Sequence, residues 1–248
     1  MQYEALAPIY DRLMNFVEYD EWLGLIERVV ERYCTQPNPN ILELGAGTGL
    51  LGEALCGMDY QYTASDISFS MCKEARTKRG LNICAADAKF LPFKKQFNMA
   101  IFLYDGVNYL LTLDEYHDFF ASVYDVLLPG GLFLFDITTR ENSIKHFQDF
   151  LDFEDYGDIS YVRHSYFDKA TSIQHNDFTI YRQSEEKNEY YKKYTEKHRQ
   201  KVFSVQEIEK AIPKQCFSVL GIWDEYTFKK YSAKSLRIHF LLRKTGDK

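Results

Sequence analysis

Three alternating glycines, Gly45, Gly47 and Gly49, follow directly on the apolar run 41–44 and open a segment that reads as helix. Glycine at alternate positions lets the chain turn sharply and brings its backbone closer to a ligand than any Cβ would permit. The first N–H groups of the following helix face the same spot. This is the make-up of a cradle for a nucleotide-like group. Carboxylates surround it: Glu43 two residues before the first glycine, Asp66 after the apolar run 60–65, and Asp87 after the run 81–86. One acid can accept from a ribose hydroxyl pair and another from an adenine amino group. Glu43 can sit beneath the cradle, near the amino-acid end of a ligand. Three carboxylates at three successive strand ends suit a single adenosine-containing molecule.

A rival reading uses the same glycines. Gly47-x-Gly49-x-x-Gly52 satisfies the dinucleotide fingerprint, with Asp66 near the offset of a ribose-binding acid in an NAD(P)-dependent oxidoreductase. That register starts two residues beyond the strand end and leaves Glu43 and Asp87 without a role.

The elements that must position these residues are legible as alternating short apolar runs and helical segments. Residues 19–33 place Trp22, Leu23, Ile26, Val29, Val30 and Tyr33 on one helical face, and Pro37 and Pro39 end that helix. Strands are expected at 41–44, 60–65, 81–86, 98–103 and 132–136, with helices through residue 55 and at 68–79 and 113–127. This is the pattern of parallel strands with right-handed helical crossovers. After Asp136 roughly 60 residues, rich in Tyr, Phe, Asp, Lys and His, alternate with period two and read as an antiparallel meander. Its strands are expected at 159–168, 173–183 and from Tyr190, with turns at 169–172 and around 185–188. Ser204 and Glu207 form a capping box ahead of Ile208 and Ile212, and final strands are expected at 217–223 and 236–243, the last antiparallel.

Composition narrows the class. With 248 residues, the chain fits one α/β domain or one such domain with an elaboration. Its net charge of −6 argues against a general electrostatic footprint for nucleic acid. No stretch approaches the length of an apolar membrane span, and the start Met1-Gln2-Tyr3-Glu4 lacks the regions of a secretory signal, so a soluble cytoplasmic protein is expected. Five scattered cysteines without a CxxC pair suggest neither disulfides nor zinc. The acidic run 149–158 matches no ligand spacing and reads as a solvated edge; no metal is expected. His164, His175 and His198 fall in the meander, where they could face a pocket or solvent; each alone is more often solvent-facing.

As a set, these features resemble the class I S-adenosylmethionine-dependent methyltransferases. The likeness rests on the Glu43-to-Gly49 loop, Asp66 with Ile67 and Ser68, Asp87-Ala88, and Leu128-Pro129-Gly130-Gly131 leading into the strand 132–136. It covers roughly residues 35–140 and resumes in the C-terminal strands. Small-molecule enzymes with an inserted antiparallel β subdomain, such as sugar N-methyltransferases and their bacterial relatives, are the most similar group. The resemblance implies an α/β, Rossmann-like, seven-stranded and mostly parallel sheet with a last antiparallel strand. It divides the chain into a cofactor domain at 1–140 and 203–248 and an inserted β subdomain at 141–202, serving as a lid or for oligomerisation as a homodimer.

S-adenosyl-L-methionine is the implied cofactor. The resemblance places Glu43, Gly45, Ala46, Gly47 and Gly49 at its cradle, Asp66 at the ribose, and Asp87 and Ala88 at the adenine edge with Ile67 and Met71 over its faces. Leu103, Tyr104 and Asp105 lie at the strand end where cofactor and substrate meet, and Tyr3, with the nearby Tyr10 and Asp11, belongs to a segment that closes over the cofactor. Tyr109 and Tyr10 are the implied catalytic residues, lining the methyl-transfer funnel. The implied reaction is in-line methyl transfer to nitrogen or oxygen of a polar small-molecule acceptor. A non-catalytic binding module that keeps the cofactor fold is the other alternative.

Overall fold

The computed structural model describes residues 3–184 and 190–246. A 3₁₀ turn, Ala7–Ile9, runs into the short α1 (Tyr10–Leu13), followed by α2 (Tyr19–Tyr33). Helix α2 buries Trp22, Leu25, Ile26, Val29 and Val30, whose spacing of three and four residues makes one apolar stripe. Leu25 completes that stripe, while Leu23 and Tyr33, expected on it, are only partly buried.

The next segment alternates strand and helix: β1 (Asn40–Leu44), α3 (Leu50–Gly57), β2 (Gln61–Asp66), α4 (Phe69–Arg79), β3 (Ile83–Ala85), β4 (Phe97–Phe102), α5 (Leu113–Val126) and β5 (Leu127–Thr138). Ser68 caps α4 by accepting the Met71 N–H, and Thr112 with Glu115 forms a capping box on α5. Then come α6 (Arg140–Phe147), β6 (Asp149–Asp155), β7 (Ile159–Asp168), β8 (Ile173–Gln183), β9 (Tyr191–Lys201), α7 (Val205–Ala211), β10 (Phe217–Asp224), β11 (Lys229–Lys230) and β12 (Arg237–Lys244). The Ser204–Glu207 capping box on α7 is present, with Ile208 and Ile212 buried behind it.

The main sheet has the order β11-β10-β12-β5-β4-β1-β2-β3. The seven expected strands are there, with β12 antiparallel to both β5 and β10, and the two-residue β11 adds an eighth at the edge. Apolar residues fill both faces, as a parallel sheet between two helix layers requires. Leu42, Leu44, Phe133, Phe135 and Phe240 pack toward α5 and α7; Ile41, Met99, Ile101 and Leu134 pack toward α2 and α3.

The second sheet, β6-β7-β8-β9, is wholly antiparallel. Strand β6 is largely exposed, so the acidic run is a solvated edge. The region differs from expectation at its start, where residues 140–147 form α6 rather than strand because Thr139 accepts the Asn142 N–H and so caps a helix. The turn expected around 185–188 lies outside the described residues. Cross-strand register sets one face of this sheet: Ser165, Asn176 and His198 stand in one row, and Phe167, Gln174 and Gln200 in the next.

Candidate active site

The carboxyl ends of β1, β2, β3 and β4 converge on a cavity of about 280 Å³. Gly45, Gly47 and Gly49 all have left-handed backbone (φ 61°, 57° and 84°), which only glycine adopts freely. The turn they make is tied down by Asp66, whose carboxylate accepts the Gly47 N–H (2.8 Å) and the Ser68 N–H (2.7 Å). Burial pushes the Asp66 carboxyl up to about 6, although these two bonds favour its ionised form. Each oxygen retains a free lone pair for a hydroxyl.

Glu43 lies below the turn, 5% exposed, and accepts a hydrogen bond from the Tyr62 hydroxyl. Burial raises it to about 8, the Tyr62 bond opposes the rise and the nearby Asp66 adds to it. A buried carboxyl held in its neutral form is a ready partner for an arriving cation. Gly52 explains the room for this arrangement: a Cβ there would collide with the Tyr62 ring. Gly52 thus lets α3 pack closely on β2, the packing role of the third glycine in either reading of the loop.

Twelve of the sixteen sequence-derived residues meet at one cavity; Glu43, Ala46, Asp105 and Gly49 do not. Gly45, Gly47, Asp66, Ile67, Met71, Asp87, Ala88, Leu103 and Tyr104 line the 280 Å³ cavity with Tyr3, Tyr10 and Tyr109. Ile67 is 60% exposed at its wall while Met71 is 1% exposed, so a planar base would cover the first and rest on the second. Glu43 and Ala46 line a small pocket of about 50 Å³ on the other side of the glycine turn, shared with Gly45, Gly47, Tyr10 and Tyr104. Asp105 lines a third cavity of about 480 Å³. Gly49 borders none of the three and packs against Leu81 and Ala75. The strand-end carboxylates, the exposed apolar wall and the cation-seeking Glu43 fit an adenosyl sulfonium with an amino-acid tail.

The 480 Å³ cavity lies between the cofactor-side rim and the second sheet, and four tyrosines, Tyr3, Tyr10, Tyr104 and Tyr109, wall both it and the 280 Å³ cavity. From this shared wall a hydrogen-bonded path runs inward. Tyr3 and Tyr109 share a bond of 2.5 Å between hydroxyls, Tyr109 Oη lies 3.3 Å from His198 Nδ1, and His198 Nε2 lies 3.1 Å from Glu196. Burial raises Glu196, but the bonds from His198 and from the Ala5 and Leu6 N–H groups outweigh it and hold the carboxyl below its usual range. An ionised Glu196 requires a donor, so His198 carries a proton on Nε2 and turns Nδ1 toward Tyr109. Burial drives the Tyr109 hydroxyl well above its ordinary pKa, so the phenol stays protonated unless a neighbour takes its proton. His198 Nδ1, at 3.3 Å, lies within reach of it.

Glu196 has a second duty. It also accepts the Tyr3 N–H (2.7 Å), which with Ala5 and Leu6 fastens the N-terminal segment to β9. Farther along, Asp11 accepts the Thr48 hydroxyl and pairs with Arg79 (3.0 Å) and Lys78 (3.4 Å), securing the segment to the cofactor side.

At the end of β4, Tyr104 and Asp105 both have left-handed backbone (φ 64° and 53°), a costly state for residues with side chains. Arg237 holds them: it pairs with Asp105 (2.8 Å) and Asp136, and lies over the Tyr104 ring at 4.9 Å. The Asp105 N–H donates to Asp136 (2.9 Å), and Gln200 donates to the Asp105 carboxylate (2.6 Å). Burial raises both carboxyls while Arg237 opposes the rise.

Sequence reasoning missed Glu196, Gln200 and Arg237, and left His198 between pocket and solvent with solvent favoured. His198 is only 1% exposed, in contrast to the solvent-facing residue expected, whereas His164 pairs with Asp149 near the surface and His175 stacks on Tyr166. A signal for β9 was present: cations at 197, 199 and 201 alternate with Glu196, His198 and Gln200, and a face of like charges belongs in water. Among the described residues, no group of acids, histidines and cysteines could hold a metal ion, and no helix is long and apolar enough to cross a membrane.

Comparison with known proteins agrees with this geometry. A family model described as a methyltransferase domain matches residues 41–131. YqeM of Bacillus subtilis strain 168, provisionally named a methyltransferase, is 28% identical over 252 residues, covering 99% of this chain and 98% of its own length. The crystal structure of an S-adenosylmethionine-dependent methyltransferase from Clostridium acetobutylicum superposes with a TM-score of 0.80 at 26% identity, covering 98% of this chain and 99% of the other. An amino pentose methyltransferase from Micromonospora echinaspora, solved with S-adenosylmethionine bound, gives a TM-score of 0.70 at 17% identity, over 96% and 97% of the two chains. That last likeness is one of fold.

Proposed function

We propose that this chain, an S-adenosylmethionine-dependent methyltransferase of class I fold, methylates nitrogen or oxygen of a polar small molecule held in the 480 Å³ cavity. The observation that carries this reading is the path Tyr109–His198–Glu196, which starts in the wall common to both cavities. The fold likeness to an amino pentose methyltransferase is compatible with a small polar acceptor. A methyltransferase-domain match over residues 41–131 and the fold likeness to an S-adenosylmethionine-dependent methyltransferase favour this reading over a nicotinamide enzyme.

When bound, S-adenosylmethionine supplies a methyl group already activated by its sulfonium sulfur, so the protein's main work is alignment and exclusion of water. Orientation of two reactants can lower a barrier by about 7–11 kcal/mol. In this reading Glu43 ionises to hold the cationic amino-acid end and Asp66 accepts from the ribose hydroxyls. Asp87 and Ala88 meet the adenine edge between Ile67 and Met71. Tyr10 and Tyr109 flank the point of transfer. An acceptor that arrives with a proton on its nucleophilic atom gives that proton to Tyr109, which passes its own to His198 Nδ1; Glu196 then balances the imidazolium. The segment 141–202 acts as the acceptor's lid, because β7, β8 and β9 supply much of the cavity wall.

Screening amines, amino-sugars and hydroxylated metabolites for release of S-adenosylhomocysteine tests the assignment. Turnover that persists undiminished in both Tyr109→Phe and His198→Asn would remove the path from the mechanism, and a protein to which S-adenosylhomocysteine does not bind would remove the reading itself.

A further inference from the structure

The lid face carries polar atoms that neither the fold nor the transfer step uses. Ser143 Oγ on α6, Gln174 Oε1 on β8 and Arg163 Nε on β7 are buried and have no hydrogen-bond partner among the described residues, and all three residues line the 480 Å³ cavity. Ser143 is 1% exposed and Gln174 3%. Buried polar atoms are nearly always satisfied, so three orphans on one cavity wall point to a ligand.

Their chemistry is constrained. The other end of the Gln174 amide faces three carbonyl oxygens, of Phe147 (3.3 Å), Tyr166 (3.1 Å) and His175 (3.1 Å). Only the NH₂ end, with its two N–H donors, suits a ring of carbonyls, so Oε1 is fixed as an acceptor. Ser143 stands one helical turn before Phe147 on α6 and lines the same cavity as Gln174. Arg163 has its charge matched by Asp152 at 3.0 Å and lies over the rings of Phe150 and Phe178, which leaves Nε as a donor without an unmatched charge. Gln174 is opposite Gln200, which reaches Asp105, so the cluster lies within a strand position or two of the transfer point.

We propose that Ser143 and Gln174 form a subsite for an uncharged hydrogen-bonding group of the acceptor, a hydroxyl or a carboxamide, which donates to Gln174 Oε1 and accepts from Ser143 Oγ, while Arg163, two rows away on the same wall, adds no unmatched charge. A carboxylate would meet the lone pairs of Gln174, and an ammonium would find no free carboxylate there. The inference rests on the methyltransferase reading and adds the class of group placed beside the nucleophile.

The test compares five amines with one nucleophile and different far ends: 3-aminopropan-1-ol, 3-aminopropanamide, 3-aminopropanoate, propane-1,3-diamine and propylamine. With saturating S-adenosylmethionine, kcat/KM for the hydroxyl and carboxamide members should exceed that of the other three by about tenfold or more, the effect of one satisfied buried bond. Ser143→Ala removes an atom with no partner in the protein. It should erase most of the advantage of 3-aminopropan-1-ol through KM while leaving propylamine turnover, the S-adenosylhomocysteine thermal shift and the melting temperature unchanged. Gln174→Met should erase it for both favoured members. Equal rates across the series, preference for 3-aminopropanoate, or no turnover of the favoured pair by protein that binds S-adenosylhomocysteine would overturn the subsite. Loss of S-adenosylhomocysteine binding itself would instead overturn the function on which it rests.

Discussion

The two large cavities share four tyrosines and are otherwise built in opposite ways. The cofactor side is made by loops at the ends of parallel strands close in sequence, and it gathers carboxyls, Asp66, Asp87 and Glu43, two of which burial holds above their ordinary pKa. The acceptor side is made by one face of an antiparallel meander and by α6, and it presents amides, hydroxyls, rings and charges already paired. The first is electrostatically unrelieved until a cation arrives. The second is close to neutral and asks for shape and hydrogen bonds. The lesson is that in this molecule affinity for the common ligand rests on buried carboxyls that ionise when a cation arrives, while choice of the variable ligand rests on strand register.

That contrast can be broken most directly at the shared wall. If proton removal runs through the lid, His198→Asn and Tyr109→Phe should each lower kcat by roughly 10²–10⁴-fold, the usual range for a general base, while calorimetry finds S-adenosylhomocysteine affinity within a factor of a few of the parent. A variant that lost cofactor affinity and turnover together would merge the two cavities into one functional unit.

Next in size is Asp66→Ala, which removes a buried acceptor of backbone and, in our reading, ribose hydrogen bonds. Charge-assisted bonds contribute about 1.5–3 kcal/mol each, so cofactor affinity should fall tenfold or more with acceptor preference unaltered. Unchanged affinity would move the ribose elsewhere.

The buried carboxyl makes a pH prediction. Free Glu43 titrates near 8, above its unfolded value, so the folded protein holds a proton the unfolded chain has released. Stability from this group is therefore present at low pH and declines as pH rises from about 4.5 to about 8. A cationic ligand favours the ionised form and expels that proton. S-adenosylmethionine affinity should rise with pH up to about 8 and then level, with a slope no steeper than about tenfold per unit, and Glu43→Gln should flatten it. The smallest expected effect is on stability: Gly52→Ala forces Tyr62 off Glu43 and should cost about 1–3 kcal/mol in denaturant unfolding, with no gain of NAD binding.

The same contrast governs what was legible in the sequence. The parallel core could be read because each strand is an apolar run that ends at the ligand rim, so Glu43, Asp66 and Asp87 announce themselves by position alone. Ser204 and Glu207 were equally plain, because a capping box is complete within four residues. The acceptor side depends on pairings that no local pattern records: Arg237 meets Asp136 across 101 residues, and Glu196 meets Tyr3 across 193. His198 and His175 occupy the same kind of alternating strand, and only the register of β8 against β9 and the docking of the N-terminal segment decide which of them is buried. Helix α6 was missed because its cap, Thr139, stands inside a stretch whose aromatic and acidic alternation suggests strand.

Glu196 binds the backbone at Tyr3, Ala5 and Leu6, and those first turns carry two of the four rings between the cavities. Acceptor choice is therefore not portable with the meander alone. A chimaera that takes this region from another methyltransferase must take the opening segment from the same donor, or the borrowed carboxylate and the resident amides will not match and the seam between the two parents will run through the point of transfer.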